Sequence, residues 1–277
     1  MQIITFPEWN LKFTVSKVAF SIFDIDVHWY AIFIVAAIII ALIAFKKQDG
    51  KYGIRFSDIL DLSIYLLPIS FLGARIFYVL VSWNYFSRNI QDIWNIQDGG
   101  LAIYGGIIAG GITTYLYCKK RKIRIMDMLD YIVPYLVLGQ AIGRWGNFVN
   151  VEAYGQITTL PWRMGIWENG IYKEVHPTFL YESIADFLIF LFLMRKSKNR
   201  KFSGEITYFY ILFYAFVRIF VEKIRTDSLM LGNFKISEML SIVFFVLSCF
   251  ILSKKETKWK KMRKKGEKIE KVTYEKT

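Results

Sequence analysis

Long apolar runs, separated by short polar segments, dominate this sequence of 277 residues. Runs of about 18 or more apolar residues with few charges are typical of helices that span a bilayer. Seven runs of this kind predict spans at residues 28–45, 57–82, 100–118, 128–148, 177–194, 204–221 and 236–253. The fold class predicted from them is an all-α polytopic membrane protein.

Charge sets the predicted orientation of these helices. The formal net charge is +13, which in a soluble protein would suggest a nucleic-acid partner. Here, however, the lysines and arginines are concentrated at residues 46–55, 119–124 and 195–201 and in the tail from residue 254, whereas the intervening segments carry few or balanced charges. Loops rich in Lys and Arg face the cytoplasm. We therefore predict an outside N-terminus, a cytoplasmic C-terminus and no nucleic-acid partner.

The same pattern predicts the domain organisation. Residues 1–253 form a single integral membrane domain, and residues 254–277 form a basic cytoplasmic tail. The largest segment between spans, about 149–176, contains Pro, Gly and Asn signals that fit short strands or turns. We predict that it forms a small extracytoplasmic cap.

The two cysteines, Cys118 and Cys249, each lie beside a basic block at the end of an apolar run. This placement indicates neither a disulfide framework nor a metal site. We expect no metal and no cofactor. If thiol chemistry occurs, the thiol is expected to arrive with the substrate.

Five polar clusters lie at span ends that the predicted topology puts on one side of the membrane. They are VHWY from Val27, GGLAIYGG from Gly99, GRWGNFVN from Gly143, HPTFLYE from His176 and YAFVRIFVEKIR from Tyr214. A charged side chain in the hydrocarbon core costs about 2.5–3.5 kcal/mol, so such residues usually have a task. The clusters therefore predict one shared site that opens to the outer side.

Arginines from two different spans indicate what this site binds. Arginine stays charged and grips phosphate through a planar fork. Arg144 and Arg218 could hold one phosphodiester from two sides, while Asn147 and Asn150 bind glycerol hydroxyls or orient the arginines. If the phosphate is a leaving group, the same arginines stabilise the charge that develops on it. A lipid-binding site of this kind could therefore be a transferase site.

Each feature also has a simpler structural interpretation. The glycines of the third span suit close helix packing, and Tyr30 could be an interfacial aromatic residue. His176 precedes Pro177 and could belong to a turn at the start of a helix. Glu222 could simply pair with Arg218 or Arg225, since the four residues Tyr214, Arg218, Glu222 and Arg225 share a helical face.

The stretch GRWGNFVNVEAYG, Gly143–Gly155, resembles the signature of the bacterial prolipoprotein diacylglyceryl transferases. The resemblance continues in WY at Trp29–Tyr30, LGAR at Leu72–Arg75, GGLAIYG, HPTFLYE and Y-x-x-x-R-x-x-x-E-x-x-R at Tyr214–Arg225, across about residues 28–253. It implies a catalytic membrane domain in the bacterial inner membrane, with its active site toward the extracytoplasmic side.

The resemblance also implies a reaction, the first step of bacterial lipoprotein maturation. Diacylglyceryl would move from phosphatidylglycerol to the lipobox cysteine thiol of a prolipoprotein signal peptide, releasing glycerol 1-phosphate. The expected partners are therefore phosphatidylglycerol, signal peptides and membrane lipids. The expected catalytic residues are Arg144, Arg218, Tyr104, Glu152 and Glu222, and the expected substrate-binding residues are Tyr30, Arg75, Asn147, Asn150, Gly155, His176, Tyr214 and Arg225.

One position departs from the family pattern. Many members carry histidine, a candidate proton acceptor, where this chain has Tyr104. A free thiol has a pKa of about 8.5 and a tyrosine a pKa of about 10, so an unperturbed phenolate is scarce at neutral pH. The base is left open between Tyr104, Glu152, Glu222 and His176, or the arginine field could favour the thiolate directly.

Two other classes of function make different demands on the sequence. A transporter or lipid flippase favours polar residues near mid-membrane and interrupted helices in two related halves. An intramembrane protease needs a serine–histidine pair or paired aspartates. The one-sided polar clusters fit neither class, and a phosphate-containing product would separate the transferase from both.

Overall fold

The computed structural model describes residues 2–23, 25–95, 99–226, 230–231 and 234–264. Within these ranges, seven helices have 19 residues or more, and each overlaps one predicted span. An eighth α-helix, α3, has only four residues. In chain order the α-helices are α1 (Trp29–Lys47), α2 (Phe56–Val81), α3 (Trp83–Phe86), α4 (Ile103–Arg121), α5 (Ile125–Asn150), α6 (Thr178–Ser197), α7 (Glu205–Ile224) and α8 (Ile236–Lys264).

Four of these helices are long and apolar enough to cross a membrane: Trp29–Lys47, Phe56–Val81, Ile125–Asn150 and Ile236–Arg263. This confirms the polytopic membrane character of the chain. Helices α6 and α7 contain buried charged residues such as Glu182 and Glu222, which reduce their apolar content. That α4, α6 and α7 also cross, and in which direction, stays a prediction.

The all-α prediction is wrong for the segments outside the long helices, which contain eight strands among the described residues. These are β1 (Gln2–Phe6), β2 (Leu11–Val15), β3 (Val18–Ile22), β4 (Ile25–His28), β5 (Met164–Glu168), β6 (Ile171–Val175), β7 (Met230–Leu231) and β8 (Phe234–Lys235). Strands alternate their side chains between two faces, and this two-residue period is easily hidden beside long apolar runs.

The largest sheet joins the N-terminal strands to the predicted cap. Its strand order is β2-β1-β5-β6, with antiparallel neighbours, and Thr5 pairs with Gly165 where β1 meets β5. Asn169 and Gly170, both with positive φ, form the two-residue turn between β5 and β6. Asn-Gly is the pair that this kind of hairpin favours. The segment 149–176 therefore contains the expected strand and turn structure.

The described residues divide into two compact units. The first comprises the described residues up to Ala44 and from Leu129 onward, and the second comprises Phe45–Met128. In the first unit, the sheet is packed on the end of α5 and the start of α6 through a cluster that includes Ile4, Ile166 and Phe179. A second cluster joins α5, α6 and α7 through residues such as Val137 and Ile189.

The second unit is built on the pairing of α2 with α4. The helices approach so closely that a Cβ on Gly105 would lie 2.3 Å from the carbonyl oxygen of Gly73. Only glycine allows this approach, because any Cβ would overlap the neighbouring backbone. The expectation that glycines of the third span serve helix packing is confirmed at this position.

Helix α8 continues beyond the apolar run that ends near residue 253. It extends to Lys264, so the first part of the predicted tail is helical. The rest of the tail, residues 265–277, lies outside the described residues.

Candidate functional site

A single buried carboxylate, Glu182, gathers three arginines in the first unit. Glu182 is in the first turns of α6 and is 3% exposed. Arg144 Nη2, near the end of α5, forms an ion pair with Glu182 Oε2. Arg218 Nη1, on α7, lies 3.2 Å from the same oxygen. Arg225 Nη1, just after α7, lies 3.4 Å from Glu182 Oε1.

This geometry brings together the two arginines that sequence reasoning placed in one site. Arg144 and Arg218 come from separate helices and meet at one oxygen atom of Glu182. A guanidinium has five N–H donors. Two arginines that share one carboxylate oxygen therefore keep donors for another anion.

Glu222 is a second buried carboxylate that pairs with Arg218. Its Oε2 lies 2.6 Å from Arg218 Nη2, one turn earlier on α7, and the residue is fully buried. Lys235 Nζ donates to the backbone oxygens of Glu222 and Arg225, which ties down the end of α7. The simpler interpretation of Glu222, a partner for Arg218, matches this geometry.

Tyr214 lies one turn before Arg218 and interacts electrostatically with both Arg144 and Arg218. Its ring stacks on Tyr210, with 5.6 Å between the ring centroids. The Tyr210 hydroxyl and the side chain of Gln140 are 3.0 Å apart and hydrogen-bonded. Polar groups thus continue from the arginines toward the interior of the helix bundle.

Asp186 adds a third carboxyl group to this region. It follows Glu182 by one turn of α6, is 1% exposed, and interacts electrostatically with Arg144 and Arg218. Its Oδ2 has no hydrogen-bond partner. Three guanidinium groups and three carboxyl groups therefore lie close together, and a buried cluster of this kind needs each charge to be compensated.

Three polar residues of the long motif form a clamp at the end of α5. Asn147 Nδ2 donates to Glu152 Oε1 at 2.9 Å, and Asn150 Nδ2 donates to the same oxygen at 3.2 Å. The Oδ1 atom of Asn150 is buried without a hydrogen-bond partner. Glu152 itself is exposed, so its carboxylate is both oriented and accessible.

Gly155 joins three elements of the first unit. Its N–H donates to the His176 carbonyl at 3.0 Å, and the next residue, Gln156, donates to Ile224 O at 2.8 Å. A Cβ on Gly155 would lie 2.7 Å from His176 Cβ. Close packing therefore accounts for a glycine at this position, and its predicted contact with substrate stays a prediction.

His176 lies just before α6, where its Nδ1 is 3.2 Å from the Tyr181 hydroxyl. Partial burial lowers the pKa of His176 from its ordinary value of 6.5, because desolvation disfavours the charged ring. The ring is therefore neutral at pH 7.

Tyr30 covers the motif from α1. A Cβ on Gly146 would lie 2.2 Å from Tyr30 Cδ2, so the aromatic ring fits directly onto the glycine. The tyrosine remains 39% exposed. It therefore packs on α5 while part of its ring stays exposed, and its predicted role in substrate binding stays a prediction.

Arg75, in the second unit, has a structural role, and its predicted role in substrate binding stays a prediction. All five of its N–H groups donate to backbone carbonyls, those of Asp92, Ile93, Asn95, Gly99 and Gly100, at 2.7–3.0 Å. The residue is 7% exposed. Arg75 therefore holds the segment that leads into α4 through all five of its donors.

Tyr104 lies in the first turn of α4, in the second unit, and is half-buried. The segment before it is held by Arg75 and by the bond from Ala102 N to Ala74 O, at 3.1 Å. Tyr104 therefore follows a loop with a defined backbone path. Its role as a base stays a prediction.

Sequence reasoning missed the two acids of α6. Glu182 stands in the quoted HPTFLYE motif, and Asp186 follows it at the i, i+4 spacing that puts both on one helical face. Two acids on one face of a predicted span are a usable signal for a cation partner, because a lone buried carboxylate is costly. The sequence did not indicate which arginines would pair with them.

Comparison with known proteins gives a consistent set of relatives. Residues 17–254 match the family model described as prolipoprotein diacylglyceryl transferase. A protein of Finegoldia magna named phosphatidylglycerol–prolipoprotein diacylglyceryl transferase is 49% identical over 231 residues, covering 83% of this chain and 92% of that protein. Proteins of the same name from Clostridioides difficile and Clostridium novyi are 43% and 39% identical, covering 82% and 88% of this chain and 90% and 97% of those proteins.

Proposed function

The chain belongs to the prolipoprotein diacylglyceryl transferase family and catalyses the first step of lipoprotein maturation, and we propose that the arginine cluster around Glu182 is where it does so. The proposed donor is phosphatidylglycerol and the proposed acceptor is the lipobox cysteine of a prolipoprotein signal peptide. The observation that carries the proposal is the meeting of Arg144 and Arg218 at one oxygen of Glu182.

Glu182 supports the proposal because it is itself an oxyanion held between two guanidiniums. Carboxylate and phosphate oxygens both suit the donor fork of arginine. We propose that a phosphodiester oxygen takes the position of Glu182 Oε2 when the lipid binds. The arginines are already assembled around an anion, so they keep their places while the Glu182 side chain moves aside for the phosphate.

The chemical step makes one bond and breaks one. The cysteine sulfur attacks the glycerol carbon that carries the phosphate, a C–S bond forms, and the C–O bond to the phosphate oxygen breaks. The bonding electrons of that C–O bond stay on the oxygen of departing glycerol 1-phosphate. Arg144 and Arg218 stabilise this growing negative charge, and a base takes the thiol proton.

For this base, the geometry favours Glu152 over Glu222. Glu152 is exposed and its carboxylate is oriented by Asn147 and Asn150, whereas Glu222 is fully buried against Arg218. A group that accepts the thiol proton must come within hydrogen-bond reach of the peptide. Tyr104 stays the alternative, and turnover of Tyr104→Phe, Tyr104→His and Glu152→Gln separates the two.

The membrane topology completes the proposal. All seven long helices cross the bilayer, the N-terminus is outside, and the site opens to the extracytoplasmic side of the inner membrane. The four helices that meet the length and composition test and the basic segments between helices support this arrangement. Phosphatidylglycerol then enters laterally, with the signal peptide alongside in the bilayer.

A product assay tests the proposed function. Purified protein in detergent micelles receives phosphatidylglycerol and a synthetic lipobox peptide, and mass spectrometry measures the thioether-linked diacylglyceryl peptide and released glycerol 1-phosphate. We expect both products in equal amounts, and none with a peptide in which serine replaces the lipobox cysteine. Absence of both products with the cysteine peptide would refute the proposal.

A further inference from the structure

The last part of α8 is packed against the segment that connects α6 and α7. Lys201 Nζ lies 2.9 Å from Glu256 Oε1 and 5.2 Å from the centre of the Trp259 ring. Lys255 Nζ lies 5.5 Å from the centre of the Phe202 ring. One face of this part of the helix is therefore held in place, so its opposite face has a fixed direction.

The opposite face carries three lysines. Lys254, Lys258 and Lys261 follow one another at i, i+4 and i+7, so they lie on one side of the helix, and all three are exposed. They line an open recess of about 470 Å³ together with Phe250, Ser253 and Thr257. Among the described residues none of the three lysines forms an ion pair, whereas the neighbouring Lys260 pairs with Glu256. The three positive charges are therefore available to an anion.

Apolar side chains continue this face toward the middle of α8. Val243, Leu247 and Phe250 are 52%, 49% and 56% exposed. Together with the three lysines they occupy positions i, i+4, i+7, i+11, i+15 and i+18, which form one stripe at 3.6 residues per turn. Lys254 Nζ lies 4.2 Å from the centre of the Phe250 ring, so the charged and apolar halves of the stripe are in contact. The stripe therefore suits a ligand in which an anionic group is joined to a hydrocarbon chain.

The length of α8 puts the lysines at the depth of lipid headgroups. The predicted span at residues 236–253 is about 27 Å long at 1.5 Å per residue, close to the hydrocarbon core of about 30 Å. From Lys254 to Lys261 the helix rises about 10 Å more, which covers the headgroup layer. At the other end of α8, Lys235 Nζ donates to Arg225 O at 3.0 Å, beside the arginine cluster. The lysines therefore belong to the leaflet opposite the proposed phosphate site.

Building on the topology given under the proposed function, we propose that Lys254, Lys258 and Lys261 bind the headgroup of an anionic phospholipid in the cytoplasmic leaflet, with one acyl chain along the apolar half of the stripe. Anionic headgroups attract basic segments at a membrane surface. A nucleic acid would suit the lysines but not the apolar half. The lysines lie at and beyond residue 254, where the match to the family model ends, so this second lipid site is not part of what that match describes.

Photolabelling tests the second lipid site. The full chain is placed in phosphatidylcholine nanodiscs with a small share of phosphatidylserine that carries a photoreactive group in one acyl chain, and mass spectrometry identifies the labelled peptides. A phosphatidylcholine probe with the same photoreactive chain measures the labelling that does not depend on headgroup charge. We expect the anionic probe to label residues 243–250 about fivefold or more strongly than the neutral probe. Equal labelling by the two probes would overturn the proposal.

Salt supplies a second condition for the same measurement. The excess labelling by the anionic probe should fall when NaCl is raised from about 0.1 M to about 1 M, because the Debye length shortens from about 10 Å to about 3 Å. An excess that does not change with salt would mean that the lysine charges do not hold the lipid.

Two triple variants with the same loss of charge separate the stripe from general electrostatic attraction. Replacing Lys254, Lys258 and Lys261 together by glutamine should remove the excess labelling of residues 243–250. The matched control replaces three exposed lysines of another basic segment by glutamine, and it should keep the excess; these lysines are Lys119, Lys120 and Lys122. Equal losses in the two triple variants would overturn the proposal.

A variant that adds a charge gives an independent result. Thr257 is exposed and lines the same recess, so Thr257→Lys should increase the excess labelling. No increase would contradict a headgroup at this position. Labelling requires no turnover, so an absent thioether product would refute the proposed function alone. Equal labelling by both probes with normal turnover would refute the second lipid site alone.

Discussion

Gly146 and Tyr30 fit together so closely that a Cβ on Gly146 would lie 2.2 Å from Tyr30 Cδ2. The tyrosine belongs to α1 and the glycine to α5, two residues after Arg144. This contact joins two polar clusters that are far apart in the sequence. It also sets a limit on side-chain size within the long motif.

Replacing Gly146 by alanine therefore tests how tightly the motif is packed. We expect Gly146→Ala to lower the free energy of unfolding by about 1–3 kcal/mol, the usual range for overpacking. Gly143→Ala is the matched control, since a Cβ at Gly143 meets nothing within 4 Å. Thermal unfolding in detergent measures both variants. If the Tyr30 ring causes the loss, Tyr30→Ala should remove most of it, and an unchanged loss in the double variant would contradict this explanation.

The arginines of the cluster should not be replaceable by lysine. Arg144→Lys and Arg218→Lys keep the charge but lose the planar fork, so we expect turnover to fall about 100- to 1,000-fold. Arg195→Lys, at an exposed position near the end of α6, should leave turnover nearly unchanged. The thioether product assay gives these rates. Full activity in Arg144→Lys or Arg218→Lys would mean that the fork geometry is not used.

Removing the carboxylate that gathers the arginines should destabilise the protein. Glu182→Gln leaves Arg144, Arg218 and Arg225 without their shared partner, and loss of one member of a buried ion pair costs about 3–5 kcal/mol. Glu152→Gln, at an exposed residue, should cost less than about 1 kcal/mol.

Added phosphatidylglycerol supplies a second readout for Glu182→Gln. Its phosphate replaces the missing anion, so the lipid should raise the melting temperature of this variant more than that of the unaltered protein. A smaller rise in the variant would argue against a shared position for carboxylate and phosphate.

Arg75 should matter for the loop that it holds and not for lipid affinity. Lysine has three donors and cannot replace the five bonds of Arg75, so we expect Arg75→Lys to lose about 2 kcal/mol of stability. Amide exchange at Ala102 should accelerate, whereas Arg88→Lys, at an exposed position nearby, should change nothing. A raised KM for phosphatidylglycerol in Arg75→Lys, without loss of stability, would instead support a role of Arg75 in substrate binding.

His176 should make stability depend on pH in a defined direction. Its folded pKa is below the ordinary 6.5, so its contribution to stability is complete above about pH 6.5 and is lost as the pH falls toward the folded pKa. Melting temperatures measured from about pH 8 to about pH 5 should therefore decline less in His176→Gln. An identical decline in both proteins would mean that other groups carry the pH dependence.

The sequence predicted the long helices well because their signal is local. For example, the run predicted at 236–253 starts at the same residue as α8, and the predicted 28–45 is close to α1. The N-terminal strands were missed because β1 and β2 are only five residues long, and the pairing of β1 with β5 depends on residues more than 150 positions away. A two-residue alternation over five residues is weak evidence for a strand when the strand that pairs with it is unknown.

The candidate site likewise has residues that a local signal reveals and residues whose role depends on distant partners. Arg144 and Arg218 were predicted to meet because each is costly in an apolar span, and that cost can be read from a single sequence. The roles of Glu182 and Arg75 depend on where other elements put their charges or carbonyls. Arg75 resembled a ligand-binding arginine, yet its five partners are backbone oxygens, which leave no trace in side-chain composition.

The pairing of β1 with β5 also restricts how the chain threads through the bilayer. Two strands of one sheet must lie on the same side, so the chain between them makes an even number of passages. The candidate spans α1, α2 and α5 give three, and α4 is the remaining long helix that the structure describes in that stretch. We therefore predict that α4 is the fourth passage, although its composition alone does not reveal it. Gly155 and Arg225 form a β-bridge, so they too must lie on one side of the membrane. The two long helices between them, α6 and α7, therefore either both cross the bilayer or both do not.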